Sequence, residues 1–300
     1  MVNFASAVVL SRLSPPSPLL NQPFSNTLKI PDASYLQDHR FERRIVLPAV
    51  EAMQILALTT QTRFPGTDIR CIRDASFDKF LYMRPEDQPI NAFNAIQVCK
   101  NGDINAKLIT KTGSPKTTIS RMKEHVSLTF SIMTTPHKKP LFKKNDNQEP
   151  PYMISTSRLY KNLVPFGPAF QNIKKLYLYK NSAEAIIKSA MNSSTGPEPL
   201  GSPFTLDAAF HAACAWGQRY ADVVAFPVGF AHRRIINPTH CRKTYKARIK
   251  VVRKEKAALI FNIKIYSSDG DLCEILKGVR MRDVSAGRMR PPQWIKPIMK

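Results

Sequence analysis

Leu206-Asp-Ala-Ala-Phe-His-Ala-Ala-Cys-Ala215 is the stretch that decides how this chain is read. Leu206, Ala209, Phe210 and Ala213 recur at helical spacing, and the pattern extends the helix over Pro203–Tyr220. Its side chains are small or apolar on nearly every side, the composition of a helix buried at the centre of a fold. Asp207 and His211 break that rule. Four residues apart, they project from one face. A carboxyl in such surroundings is costly unless protonated or paired. Burial raises its pKa toward the range that a general acid needs near neutral pH.

Outward from this helix the pattern changes to strands. Tyr245, Ala247, Ile249 and Val251 alternate with Lys246, Arg248 and Lys250, a period of two. Residues 258–268 and 272–281 flank Asp269-Gly270, which reads as a two-residue hairpin turn. Upstream, 158–179 reads as mostly extended. The first half repeats the order. An extended start (24–30) precedes a helix with Pro48 at its first position and Ala49, Ala52, Met53, Leu56 and Ala57 on one face. Asn101-Gly102 then marks another two-residue turn between extended runs. Each half is one helix followed by antiparallel strands, an α+β pattern, with no residue-by-residue repeat. The expected division is 1–136 and 153–285, with a polar, Pro-rich linker at 137–152 and an irregular tail at 286–300.

The bulk numbers bound the answer. With 300 residues and 43% hydrophobic content, the chain fills one large domain or two half-size ones. The five cysteines are odd in number and none has CxxC spacing, so neither a zinc site nor a disulfide framework is expected. Scattered thiols fit a reducing cytoplasm. No apolar run approaches the roughly 18 residues of a membrane span. The apolar start, Phe4 to Leu10, lacks the basic region of a secretion signal. The net charge is +23, and residues 233–300 carry 18 Lys and Arg against 5 Asp and Glu. Such a surface favours an anionic partner. With no basic motif interleaved with aromatics, nucleic acid is not the expected one.

Four ordered motifs then carry a resemblance. Tyr35-Leu-Gln-Asp-His-Arg-Phe-Glu-Arg-Arg-Ile-Val-Leu-Pro-Ala-Val-Glu51 resembles the start of polyketide synthase dehydratase domains, whose HxxxGxxxxP signature maps onto His39, Arg43 and Pro48. Phe166-Gly-Pro-Ala-Phe170 is similar to that family's YGPxF, and Asp207 with His211 to its DxxxQ/H helix. Phe226-Pro-Val-Gly-Phe230 resembles the LPFxW-type strand that follows. The resemblance implies a double hot-dog, two antiparallel sheets each wrapped around a central helix, with a tunnel between the halves. It implies a hydro-lyase acting on a 3-hydroxyacyl thioester in polyketide or fatty-acid-type biosynthesis. His39 is then the base, Asp207 the acid, and His211 the group that holds Asp207 or the substrate hydroxyl. Arg43, Leu47, Pro48, Phe166, Gly167, Phe170 and Pro227 are expected against the substrate. The implied partners are an acyl carrier protein, which brings the substrate on phosphopantetheine, and other synthase components. No metal, organic cofactor or membrane is called for, and a homodimer is compatible.

The chain departs from the pattern at four positions. Arg43 replaces the signature glycine, Phe166 the tyrosine, Phe230 the tryptophan, and Ser202 a histidine common before the proline. Arg43 brings a cation to His39, lowering its pKa, blocks the tunnel mouth, binds an anionic substrate group, or faces solvent. Two other readings fit the same acid–base pair. One is a product-template-like cyclase or an isomerase, and the other is a non-catalytic carrier-binding module.

Overall fold

A computed structural model describes residues 24–30, 33–77, 79–84, 89–113, 120–131, 151–190 and 198–297. The expected linker lies outside the described residues apart from Pro151 and Tyr152, as do the apolar start and the last three residues of the tail.

Helix α1 (Ala49–Arg63) begins where Pro48 fixes the backbone, its carbonyl accepting from the N–H groups of Glu51 (3.1 Å) and Ala52 (3.0 Å). Helix α2 (Pro203–Tyr220) is buried from Pro203 through Gln218, which only a small, apolar sequence permits. Around these helices the strands pair antiparallel in one continuous sheet. In the first half these are β1 (Phe24–Ile30), β4 (Cys71–Ser76), β5 (Ile90–Val98), β6 (Ile104–Gly113) and β7 (Ser120–Phe130). The second half gives β8 (Tyr152–Ile154), β9 (Ile173–Tyr179), β10 (Ser182–Lys188), β11 (Phe226–Ile235), β12 (Thr244–Lys254), β13 (Leu259–Ser267) and β14 (Leu272–Arg282). A separate two-stranded hairpin, β2 (Arg40–Phe41) and β3 (Arg44–Ile45), precedes α1.

The sheet order is β1-β5-β6-β7-β4-β11-β14-β13-β12-β10-β9-β8. Both halves obey one rule. The strand after the helix pairs with the last strand, then come the middle two, then a strand from before the helix: β1, which closes the row in the first half, and β10, which β9 and β8 extend in the second. The halves meet where β4 pairs with β11, with Ala75 opposite Phe230 and Arg73 opposite His232. Behind this seam Gln54 of α1 donates to the carbonyl of Gly201 and accepts from the N–H of Leu200 at 3.1 Å. Arg233 and Glu274, 3% and 2% exposed, form an ion pair at 2.6 Å, and Arg233 also donates to the Leu200 carbonyl.

Two expectations are corrected. Both turns are one residue longer than read. Cys99 N–H reaches Asp103 O (2.7 Å), and Ser267 N–H reaches Asp271 O (2.8 Å), enclosing three residues each. Gly102 (φ 84°) and Gly270 (φ 90°) take the left-handed position that this loop demands. The stretch read as extended starts instead with helical turns over 156–163. Ser155 caps them by accepting from Arg158 N–H (3.3 Å), and Leu159, Tyr160 and Leu163 turn inward. In the tail Ile295 is fully buried, and its carbonyl accepts from Arg219 at 2.7 Å. No described helix is long and apolar enough to cross a membrane.

Candidate active site

His39 ends a short helical turn, Ser34–Asp38, immediately before the β2–β3 hairpin. Its Nδ1 lies 2.9 Å from the carbonyl oxygen of Val46. A carbonyl only accepts, so Nδ1 carries the proton and Nε2 keeps the lone pair. Burial draws the His39 pKa below 6.5; the charge of Asp207 and the Val46 contact oppose this, and the charge of His211 adds to it. His39 is therefore a neutral imidazole with one basic nitrogen.

From the other half, α2 presents Asp207 and His211 (7% and 4% exposed), with His211 Nε2 2.9 Å from Asp207 Oδ2. The approach is close in distance but poorly aligned. Asp207 Oδ2 and both His211 nitrogens are buried without a hydrogen-bond partner among the described residues. Buried polar atoms are usually paired, and these three belong to residues that line a cavity. The expected raised pKa of Asp207 is corrected. Burial pushes the carboxyl up, but the charge and contact of His211, with the charge of His39, draw it below the usual carboxylate range. Asp207 therefore works as half of a pair.

His39, Asp207 and His211 line one cavity of about 70 Å³, roughly two water molecules' worth of liquid volume. Its walls are mostly apolar, including Leu47, Val50, Phe166, Phe210 and Pro227. Phe166 stands between the two imidazoles. Its ring stacks on His39 (4.5 Å between centroids, 7° between planes) and on His211 (4.9 Å, 22°). The first turn of α1 reaches the same space through Ala49 and Val50.

Leu47, Phe166 and Pro227 thus reach the cavity as expected. Pro48, Gly167, Phe170 and Arg43 do not line it. Pro48 is the buried cap of α1. Phe170 packs behind His39 at 5.0 Å and against Phe204 at 5.4 Å. Gly167 lies against Asp38, and a Cβ there would come within 2.3 Å of its carboxylate. Arg43 is exposed at the tip of the β2–β3 hairpin with φ 67°, the left-handed position that glycine fills without strain.

Two groups escape sequence reading. His125, on β7, also lines the cavity. Its Nδ1 faces the carbonyls of Lys79 (3.2 Å) and Phe80 (3.1 Å), and its Nε2 faces Thr110 Oγ1 (2.8 Å), so it fastens a loop rather than offering a free nitrogen. Glu51, 2% exposed in the first turn of α1, has its pKa pushed up to about 8. Burial is the main cause; a hydrogen bond with Tyr35 opposes it, and the charges of Glu198 and Asp207 add to it. Neither residue occupies a signature position, because burial and folded contacts rather than local sequence define them.

Two sheet-wrapped helices sharing one sheet, with a histidine and an aspartate facing a common cavity, define a double hot-dog protein. Residues 143–291 match the family model described as polyketide synthase dehydratase N-terminal domain, and through that segment the chain is similar to the polyketide synthase dehydratase family. Solved structures agree on the fold. The dehydratase domain of a mycocerosic acid synthase-like polyketide synthase aligns at 13% identity over 95% of this chain and 99% of that one, TM-score 0.71. A trans-AT polyketide synthase dehydratase domain from Brevibacillus brevis aligns at 15% over 87% and 93%, TM-score 0.70. The dehydratase domain of the CurF module of curacin polyketide synthase aligns at 16% over 93% and 98%, TM-score 0.70. No protein of curated function matches the sequence.

Proposed function

We propose that this chain is a hydro-lyase of polyketide assembly that removes water from a 3-hydroxyacyl thioester to give the 2-enoyl thioester. One observation carries the reading: His39 from the first half and the Asp207–His211 pair from the second line the same apolar cavity. In the reaction, the proton on the carbon beside the thioester carbonyl passes to Nε2 of His39. The electron pair left behind forms the new double bond, and the bond from the 3-carbon to its oxygen breaks. The Asp207–His211 pair supplies the proton with which the hydroxyl departs as water. Acid and base contribute on the order of 10²–10⁴ each. Charge building on the thioester carbonyl meets the positive end of α1 at Ala49 and Val50. The chemistry needs no metal or organic cofactor. The substrate arrives on the phosphopantetheine of an acyl carrier protein, and the other synthase components act before and after it.

The test is incubation with a 3-hydroxybutyryl pantetheine thioester, followed by mass for loss of water. Dehydration that disappears in His39→Ala and in Asp207→Asn supports the reading. Cyclisation of a poly-β-keto thioester in its place points to product-template-like chemistry. Salt-sensitive carrier binding without any turnover points to a non-catalytic module.

A further inference from the structure

The turn that carries His39 is hydrogen-bonded to the second half of the molecule through Asp38. The backbone carbonyl of Asp38 accepts from the N–H of Gly167 at 2.8 Å, and its carboxylate Oδ2 accepts from the N–H of Ala169, also at 2.8 Å. Both donors lie in the 166–170 loop, whose two phenyl rings, Phe166 and Phe170, pack against the His39 imidazole. The fit at Gly167 is tight enough that any side chain there would strike Asp38. Two elements 128 residues apart are thus joined by a two-point clip, directly beside the base.

We propose that Asp38 is a positioning residue, holding the loop of the second half closed over the His39 ring so that base and acid keep their register across the cavity. The proposal rests on His39 being the base. The continuous sheet sets the distance between the halves, but His39 is not part of any of its strands. The Val46 contact fixes the tautomer of the ring from its own half and does nothing to place it against α2. The Asp38 clip ties the base-bearing turn to the loop by two hydrogen bonds, and that loop covers the ring with its phenyl groups. The ionisable groups facing His39 are Asp207 and His211 of α2; the loop offers phenyl rings, and the turn itself offers Asp38 and the exposed Arg40.

The experiment uses the full chain and compares Asp38→Ala, Asp38→Asn, Gly167→Ala and His39→Ala. Asp38→Asn keeps an oxygen that accepts from Ala169; Asp38→Ala does not. The clip predicts that Asp38→Ala and Gly167→Ala lower kcat about 100-fold, the scale of a misplacement near 1 Å, with little change in KM. It predicts that Asp38→Asn stays within about threefold of the parent. A second readout does not depend on turnover. The His39 Cε1–H resonance, assigned by its absence in His39→Ala, is titrated by NMR. An opened loop hydrates the ring, so its pKa climbs toward 6.5 in Asp38→Ala and stays put in Asp38→Asn. Mere loss of the Asp38 charge predicts the opposite, a fall in both variants. Unchanged kcat and an unchanged or falling His39 titration in Asp38→Ala overturn the proposal. Full activity in His39→Ala overturns instead the assignment of the base, and leaves the titration to judge the clip on its own. If Asp38→Ala does not fold, Gly167→Ala gives the same two readouts.

Discussion

As the proposed base, His39 has to be neutral to accept a proton, and burial draws its pKa below the ordinary value of 6.5. The acid limb of kcat/KM should therefore have its midpoint below pH 6.5, and a pH–rate profile on the pantetheine thioester checks this. Glu51 gives a prediction of the opposite sign for stability. Its folded pKa of about 8 exceeds the ordinary 4.5, so between these values the folded protein binds more protons than the unfolded chain. Stability should then fall as pH rises from about 5 to 8, and Glu51→Gln should flatten that slope in denaturant titrations run across the range. Asp207 and His211 were legible because a polar pair four residues apart stands out in an alanine-rich helix. Their electrostatics were not, because the contact that lowers the Asp207 pKa depends on rotamers. Arg43 was legible only as a departure. Its placement at an exposed hairpin tip, outside the cavity, comes from folded geometry that no motif encodes.

At the scale of elements, α2 works by being small. Ala208, Ala209, Ala212, Ala213 and Ala215 are each at most 1% exposed, so the space around the helix is filled at every one of them. Ala213→Leu should overpack this contact and cost about 1–3 kcal/mol, read as a shift in denaturation midpoint with an unchanged slope. The helices and the long strands were readable from period alone, since each buries one repeating face. The 156–163 turns were not. They bury Leu159, Tyr160 and Leu163 over too short a stretch for helical periodicity to show, and a Ser cap is weak evidence by itself. The turn lengths were misjudged because Asn-Gly and Asp-Gly satisfy both two- and three-residue loops; cross-strand register chooses between them.

The whole molecule is held at the β4–β11 seam and by the polar contacts behind it. Arg233 and Glu274 are both buried there, so removing one partner strands the other's charge. Arg233→Met should cost about 3–5 kcal/mol in denaturant unfolding, and Arg233→Met with Glu274→Leu should recover most of it. The doubled plan was visible in the sequence as pattern. The joining of twelve strands into one sheet was not, since β4 and β11 are separated by 150 residues and neither announces its partner.

That seam has a consequence for symmetry. β4 and β11 hold equivalent positions in their halves and run antiparallel, so a pseudo-twofold axis passes between them. Identical halves would place the same polar groups on both sides of that axis. Here the first half brings His39 and the second brings Asp207 and His211 to one cavity, so the chamber is lopsided where the backbone around it is paired.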